Sequence, residues 1–156
     1  MPNWCQNQLT VDSPMSNELV NYLRVHGLSF KKIAPCDDTV EAQNEAWSTK
    51  WDLCDEDQRE AANELIAEGA CGFDTAWSPP IEAIRKLSEQ FPDDGFTLRY
   101  CEEGMQFCGE TVFEAGDEEE RVFIDGDRKA FRDFIQNEMG FEPWDDEEDE
   151  EEDKEE

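Results

Sequence analysis

Four residues suited to ligand chemistry, Trp47, Lys50, Trp51 and Asp52, fall within six positions, and Trp77 follows. Indole faces stack on a base or a sugar and Lys50 meets an anion, so the set describes a pocket for a small ligand or nucleotide. The plainer reading is that the same tryptophans close a hydrophobic core, with Lys50 paired to a nearby acid. The second chemistry is that of carboxylates. Asp117, Glu118, Glu119 and Glu120 form an unbroken run, Asp125 and Asp127 flank a glycine, and Asp145, Asp146, Glu147 and Glu148 open an acidic terminus.

Other chemistries are poorly served. The single histidine, His26, falls at the end of a helix, where a cation suits the dipole. The six cysteines contain no C-x-x-C pair, and Cys101 and Cys108 are expected only as diagonal neighbours, so no zinc spacing stands out. Asp125-Gly126-Asp127 lacks the spacing and terminal glutamate of an EF-hand. There is no G-x-S-x-G, no Ser/His/Asp set and no phosphate-cradling glycine loop. Acids are too abundant for any pair to stand out as general acid and base, which leaves a carboxylate metal-dependent hydrolase as a third reading. No catalytic residue, resident metal or cofactor is implied.

The charge is the strongest signal. Thirteen Lys and Arg stand against 42 Asp and Glu, a net of −29. The last twelve residues hold eleven acids and one lysine, a net of −10, which leaves −19 on Met1 to Trp144. Nucleic-acid affinity comes largely from cations that neutralise phosphates, so direct binding to DNA, RNA or an anionic membrane is disfavoured and basic partners are favoured. The plain alternative is solubility or a salt-rich habitat. The start of the chain lacks the basic and apolar regions of a signal peptide, and no apolar stretch approaches the roughly 18 residues of a membrane span. A cytoplasmic chain with reduced thiols is expected.

The element that organises the rest is Phe73–Ile81. Phe73, Thr75 and Trp77 suit a strand, Ser78 offers a cap, and two prolines fit the first turn of a helix with Ile81, Ile84, Leu87 and Phe91 on one stripe. Before it, Trp4–Asp12 alternates with its core face on the odd positions. Ser13-Pro14 opens a helix ended by Gly27, Leu28–Ile33 reads as a short strand, and Pro35–Glu45 as a loop. Trp47, Thr49 and Trp51 would share a strand face, and Asp55–Glu68 is a surface helix closed by Gly69. Phe96–Phe113 reads as a hairpin with a two-residue turn at Glu103-Gly104, pairing Tyr100 with Phe107, Leu98 with Gly109 and Phe96 with Thr111. Gly116–Glu120 reads as an acidic loop and Arg121–Ile124 as a strand. Lys129–Met139 reads as a helix with Phe131, Phe134, Ile135 and Met139 inward, and residues 145–156 as a disordered tail. The sum is one α+β domain over residues 1–144. It is a ferredoxin-like split βαβ sandwich with helices on one face of an antiparallel sheet, an inserted helix near 55–68 and a C-terminal strand–helix extension.

Three segments carry a resemblance: Met1-Pro2-Asn3-Trp4-Cys5-Gln6-Asn7 with Leu9-Thr10-Val11, Trp47-Ser48-Thr49-Lys50-Trp51-Asp52, and Phe73-Asp74-Thr75-Ala76-Trp77-Ser78-Pro79-Pro80. Together they resemble the YubB-type proteins of plasmids and bacteriophages. The resemblance covers most of Met1 to Phe113 and leaves the final helix and acidic tail outside. It implies a ferredoxin-like domain from a mobile element and brings no catalytic residues. Joined to the charge, it leads to the expectation of a non-enzymatic acidic inhibitor. Such a protein would bind a basic nucleic-acid-handling host complex, for example a CRISPR effector, by imitating the negative charge of nucleic acid. The expected contacts are Asp117, Glu118, Glu119, Glu120, Asp125, Asp127 and the tail acids Asp145, Asp146, Glu147 and Glu148. The alternative is the ligand pocket of Trp47, Lys50, Trp51, Asp52 and Trp77.

Overall fold

β1 (Trp4–Val11) buries Cys5, Asn7, Leu9 and Val11, the odd positions that its alternation predicts. The computed structural model, which describes residues 3–12 and 14–140, places β1 between β2 (Ala70–Ala76) and β3 (Gly95–Glu102). β4 (Phe107–Glu114) and β5 (Asp117–Asp125) extend the sheet to the order β2-β1-β3-β4-β5, antiparallel throughout. β2 and β3 each run against β1, so they are parallel to one another, and the helix between them must cross over the sheet. That helix is α5 (Ile81–Gln90). The result is the split βαβ of a ferredoxin-like α+β sandwich.

One face of the sheet is covered by α1 (Asn17–His26), α4 (Asp55–Glu68) and α5. Leu19, Leu23, Ala62, Leu65, Ile84 and Leu87 meet Leu9, Phe73, Phe96, Leu98 and Phe113 in one core. Each such large apolar side chain contributes roughly 1.5–3 kcal/mol through burial. Two short helices fill the corner beside α5, where a strand and a loop are expected from the sequence. Leu28–Ile33 is not a strand: Ser29 caps a helical turn, α2 (Phe30–Ile33), and both ends of that turn are buried. Pro35–Glu45 is not wholly loop either, because Thr39 caps α3 (Val40–Trp47) by accepting a hydrogen bond from Ala42 N. Trp47 therefore ends a helix and shares no strand face with Thr49 and Trp51. The chain turns there through Ser48 at φ 68°.

Two caps also differ from expectation. α1 begins at Asn17 and is capped by Ser16 through the amide of Leu19; Ser13, the expected cap, lies outside the described residues. Ser78 does not cap α5. Its hydroxyl donates to Ser48 O (2.5 Å), while the Ser48 hydroxyl accepts from Glu82 N (3.2 Å) and so caps α5 from a distant loop.

The β3–β4 hairpin has a four-residue turn, 103–106, so Tyr100 faces Gly109, Leu98 faces Thr111 and Phe96 faces Phe113. This is two residues away from the expected register. A shift of two preserves every side chain's face, and the apolar row stays inward. Glu102, buried, lengthens the turn: its carboxylate accepts from Gly104 N (3.0 Å) and Met105 N (2.6 Å). The shift sets Cys101 directly opposite Cys108, where diagonal neighbours are expected.

Asp117–Glu120, expected as a loop, is the first half of strand β5. A bulge opposite Glu110 and Thr111 leaves Arg121 unpaired, and the one-residue slip switches faces. Glu118 and Glu120 lie beside Phe113 and Thr111 on the face carrying α5, whereas Val122 and Ile124 turn to the other face. That second face, though helices are expected on one face only, is partly covered by α6 (Arg128–Asn137). Phe131, Phe134, Ile135 and Met139 are inward as predicted, packed on Cys101, Cys108, Val122 and Ile124.

Candidate acidic interface and tryptophan cleft

The three segments that carry the resemblance interlock at one corner of the sheet. Asn7, buried on β1, reaches across to β2 through Nδ2, which lies 3.2 Å from Phe73 O and 2.9 Å from Thr75 Oγ1. Thr75 donates to Ser78 O (2.6 Å), Thr49 donates to Ala76 O (2.9 Å), and Trp77 N donates to Asn3 O (2.8 Å). Trp77 sits at φ 71°, one residue past the end of β2. The polar residues of these motifs are thus engaged in holding β1, β2 and the Trp47–Asp52 loop together.

The five residues of the expected ligand pocket are not brought to one site. Trp47 is wholly buried, and its indole N–H donates to Ala34 O (2.8 Å). Asp52 accepts from Ser29 Oγ (2.8 Å), Phe30 N (2.8 Å), Lys31 N (3.1 Å) and Leu53 N (2.8 Å), so its carboxylate fixes the start of α2. Lys50 lies over the Trp77 ring, 5.0 Å from its centroid. Trp51 and Asp52 line a common cavity, and the other indole there is Trp4, a residue sequence reasoning left out of the pocket.

Trp4 and Trp51, both partly exposed, have ring centroids 6.4 Å apart and planes inclined at 56°. They line a cleft of about 320 Å³ with Asp52, Leu53, Asp57, Asp74 and Ala76. A second cleft, also about 320 Å³, shares Asp57 and Asp74 and continues along the β2 edge past Glu60, Glu64 and Gly72. Asp57, Glu60 and Glu64 stand at i, i+3 and i+7, one side of α4. Glu64 accepts from Gly72 N (3.0 Å), satisfying an edge-strand amide with a carboxylate. Burial, and then the neighbouring Asp57 carboxylate, raise the Asp74 carboxyl above its ordinary range.

The opposite edge of the sheet is acidic as well. Asp117–Glu120 are all exposed. Glu118 and Glu120 share a face with Glu82 and Glu89 of α5, where the one arginine, Arg85, pairs with Glu82 (3.0 Å) and Glu89 (3.3 Å). Burial and Glu82 raise the Glu118 carboxyl, while Arg85 pulls it the other way. Glu119 pairs with Arg121 (3.6 Å). Asp125 is exposed at the end of β5, and Asp127 caps α6 by accepting from Ala130 N (3.0 Å). Asp145, Asp146, Glu147 and Glu148 lie outside the described residues.

Three of the buried cysteines are poor nucleophiles. Burial pushes the Cys71, Cys101 and Cys108 thiols up to about 12, so these stay protonated at neutral pH. Among the described residues, no group of three or more His, Cys, Asp or Glu is placed to hold a metal ion. Among the same residues, no helix is long and apolar enough to cross a membrane.

No curated protein and no solved structure matches the chain. A family model described as the ferredoxin-like domain in Api92-like protein matches residues 46–156. The matched span runs from the end of α3 through α6 to the end of the chain. The last helix and the acidic terminus, which the YubB-type resemblance leaves outside, are therefore inside the matched family. With this match over more than half its length and a sheet of the corresponding topology, the chain belongs to the family of ferredoxin-like domains in Api92-like proteins.

Proposed function

We propose that this is a phage- or plasmid-borne protein of the YubB-type kind that binds a basic, nucleic-acid-handling host defence complex in the cytosol. It blocks access to DNA or RNA without any chemistry of its own. A CRISPR effector, whose channel holds nucleic acid against lysines and arginines, is the sort of target it fits.

The observation that carries this reading is the run Asp117–Glu120 on an exposed edge strand. An antiparallel strand advances about 3.4 Å per residue. One strand of B-DNA carries one phosphate per about 3.4 Å of axis. Side chains alternate along a strand, so Glu118 and Glu120 share one face and Asp117 and Glu119 the other, and carboxylates on one face stand about 6.8 Å apart, the rise of two phosphates of a DNA strand. The α4 row has a comparable spacing on one side: at about 1.5 Å per residue, its acids are roughly 4.5 and 6 Å apart along the axis. What favours β5 as the main contact is that its four acids are consecutive and all exposed on an edge strand, with Asp125 exposed at its end; Asp127 and the terminal acids add to the negative charge. Opposite fields steer such an encounter, so association is fast and weakened by salt.

The test is capture of a purified DNA-binding defence complex, with DNA as competitor, by the protein and by a Glu118→Lys, Glu119→Lys, Glu120→Lys variant. The protein is expected to exclude DNA and the variant to lose at least about tenfold in affinity. Equal competition by both, or a complex that holds the protein and DNA together, refutes the reading.

A further inference from the structure

We infer that the cleft walled by Trp4 and Trp51 and rimmed by Asp57 and Asp74 seats a guanidinium side chain, an arginine of the basic partner. The inference rests on the functional reading above and assigns a site to a surface that reading leaves unused. Two indoles partly exposed beside one another are an unusual expense for a protein with a well-filled core, since Trp47 shows that the fold buries an indole completely where it needs packing. The Trp4 and Trp51 centroids are 6.4 Å apart. A planar group sandwiched between two rings needs about 7 Å, twice a van der Waals contact. The occupant therefore lies against one ring face, with its edge directed at the carboxylates.

The lining chooses a cation. Asp52, Asp57 and Asp74 line this cleft, and Lys and Arg do not. Asp52 is committed to α2, which leaves Asp57 on the first turn of α4 and Asp74 on β2 to meet the ligand. Their mutual repulsion is relieved when a positive group comes between them. Guanidinium is the better occupant than ammonium because it is planar, stacks on an aromatic face and offers several N–H donors to two acceptors at once. The adjoining cleft, lined by Glu60 and Glu64, leads away along the β2 edge and gives the residues flanking that arginine an equally acidic track.

The probe is Nα-acetyl-arginine methylamide, titrated against the full chain while the five indole N–H resonances are followed by NMR. The Trp4 and Trp51 signals are expected to move together and saturate, with the Trp47 signal, held on Ala34 O, as the fixed internal reference. The citrulline analogue, equal in shape and uncharged, is expected to leave them in place. Asp57→Asn with Asp74→Asn is expected to weaken binding at least about fivefold; both residues are exposed, so folding is retained, as the unchanged Trp47 signal will report. Equal shifts with citrulline, unchanged affinity in the double variant, or a response at Trp77 instead of Trp4 and Trp51 overturns the assignment. A protein that excludes DNA from its target equally well with and without the double substitution also refutes the cleft and leaves the β5 reading standing. Saturable arginine binding in a protein that excludes no DNA does the reverse.

Discussion

Asp52 is the residue on which a structural and a ligand-binding role part most sharply. Its carboxylate receives four hydrogen bonds, three of them, from Ser29 Oγ, Phe30 N and Leu53 N, at positions partly withdrawn from water. The fourth, from Lys31 N, is exposed, and water replaces it at little cost. Asp52→Ala strands the other three donors at about 1 kcal/mol each, a loss of about 3 kcal/mol. For a chain of this size that is a fall in melting temperature of about 6–12 °C. Asp52→Asn keeps one acceptor oxygen, and with it the pair from Phe30 N and Leu53 N, so it should cost roughly 1 kcal/mol. The assay is urea unfolding followed by tryptophan fluorescence, with Trp51→Ala as a comparison at an exposed site. A loss under about 1 kcal/mol for Asp52→Ala, or an order of severity with Asn worse than Ala, would refute the cap.

Two further outcomes follow from the sheet and the charge. Residues 46–156, the span of the family match, should fail to fold alone, because β1 supplies the ladder partner of both β2 and β3; a cooperative urea transition for that fragment contradicts the role given to β1. Asp74 and Glu118 hold their protons more tightly folded than unfolded, so in the window just above the ordinary carboxylate range the folded chain binds the more protons. Their contribution to stability is therefore greatest at low pH and lost as pH rises through that window. Asp74→Asn combined with Glu118→Gln should flatten the decline in urea midpoint as pH rises from about 4 through the range just above it at low salt. Identical slopes for variant and parent would contradict the assignment.

Much of this architecture is legible in the sequence because it rests on periodicity. The odd parity of β1, the stripe of α5 and the inward face of α6 follow from apolar spacing, and the extent of α4 from its acidic first turn and the closing Gly69. The hairpin keeps its faces though its register moves by two, since what adjusts the register is the Glu102 carboxylate taking two turn amides, which apolar spacing does not encode. α3 has only Ala46 and Trp47 buried and so shows no stripe; the cap at Thr39 was its one visible sign. Asp117–Glu120 has the composition of a loop, and only the free edge of β4 and the bulge at Arg121 make it strand. As for the cleft, the i, i+3, i+7 row of Asp57, Glu60 and Glu64 could be read in advance. The approach of Trp4, Trp51 and Asp74 to that row could not, because it depends on β1–β2 pairing and on a loop folded back against it.

The central claim is that the carboxylates of this fold occupy the place of phosphates in a cationic groove. The most direct measurement is the inhibition constant of the protein against DNA binding by a purified defence complex, taken at salt concentrations from dilute buffer to about half molar. The account predicts mutually exclusive binding and an affinity that falls steeply and linearly in log–log form with added salt, as DNA's own does. An affinity indifferent to salt, or inhibition that leaves DNA bound, would contradict it.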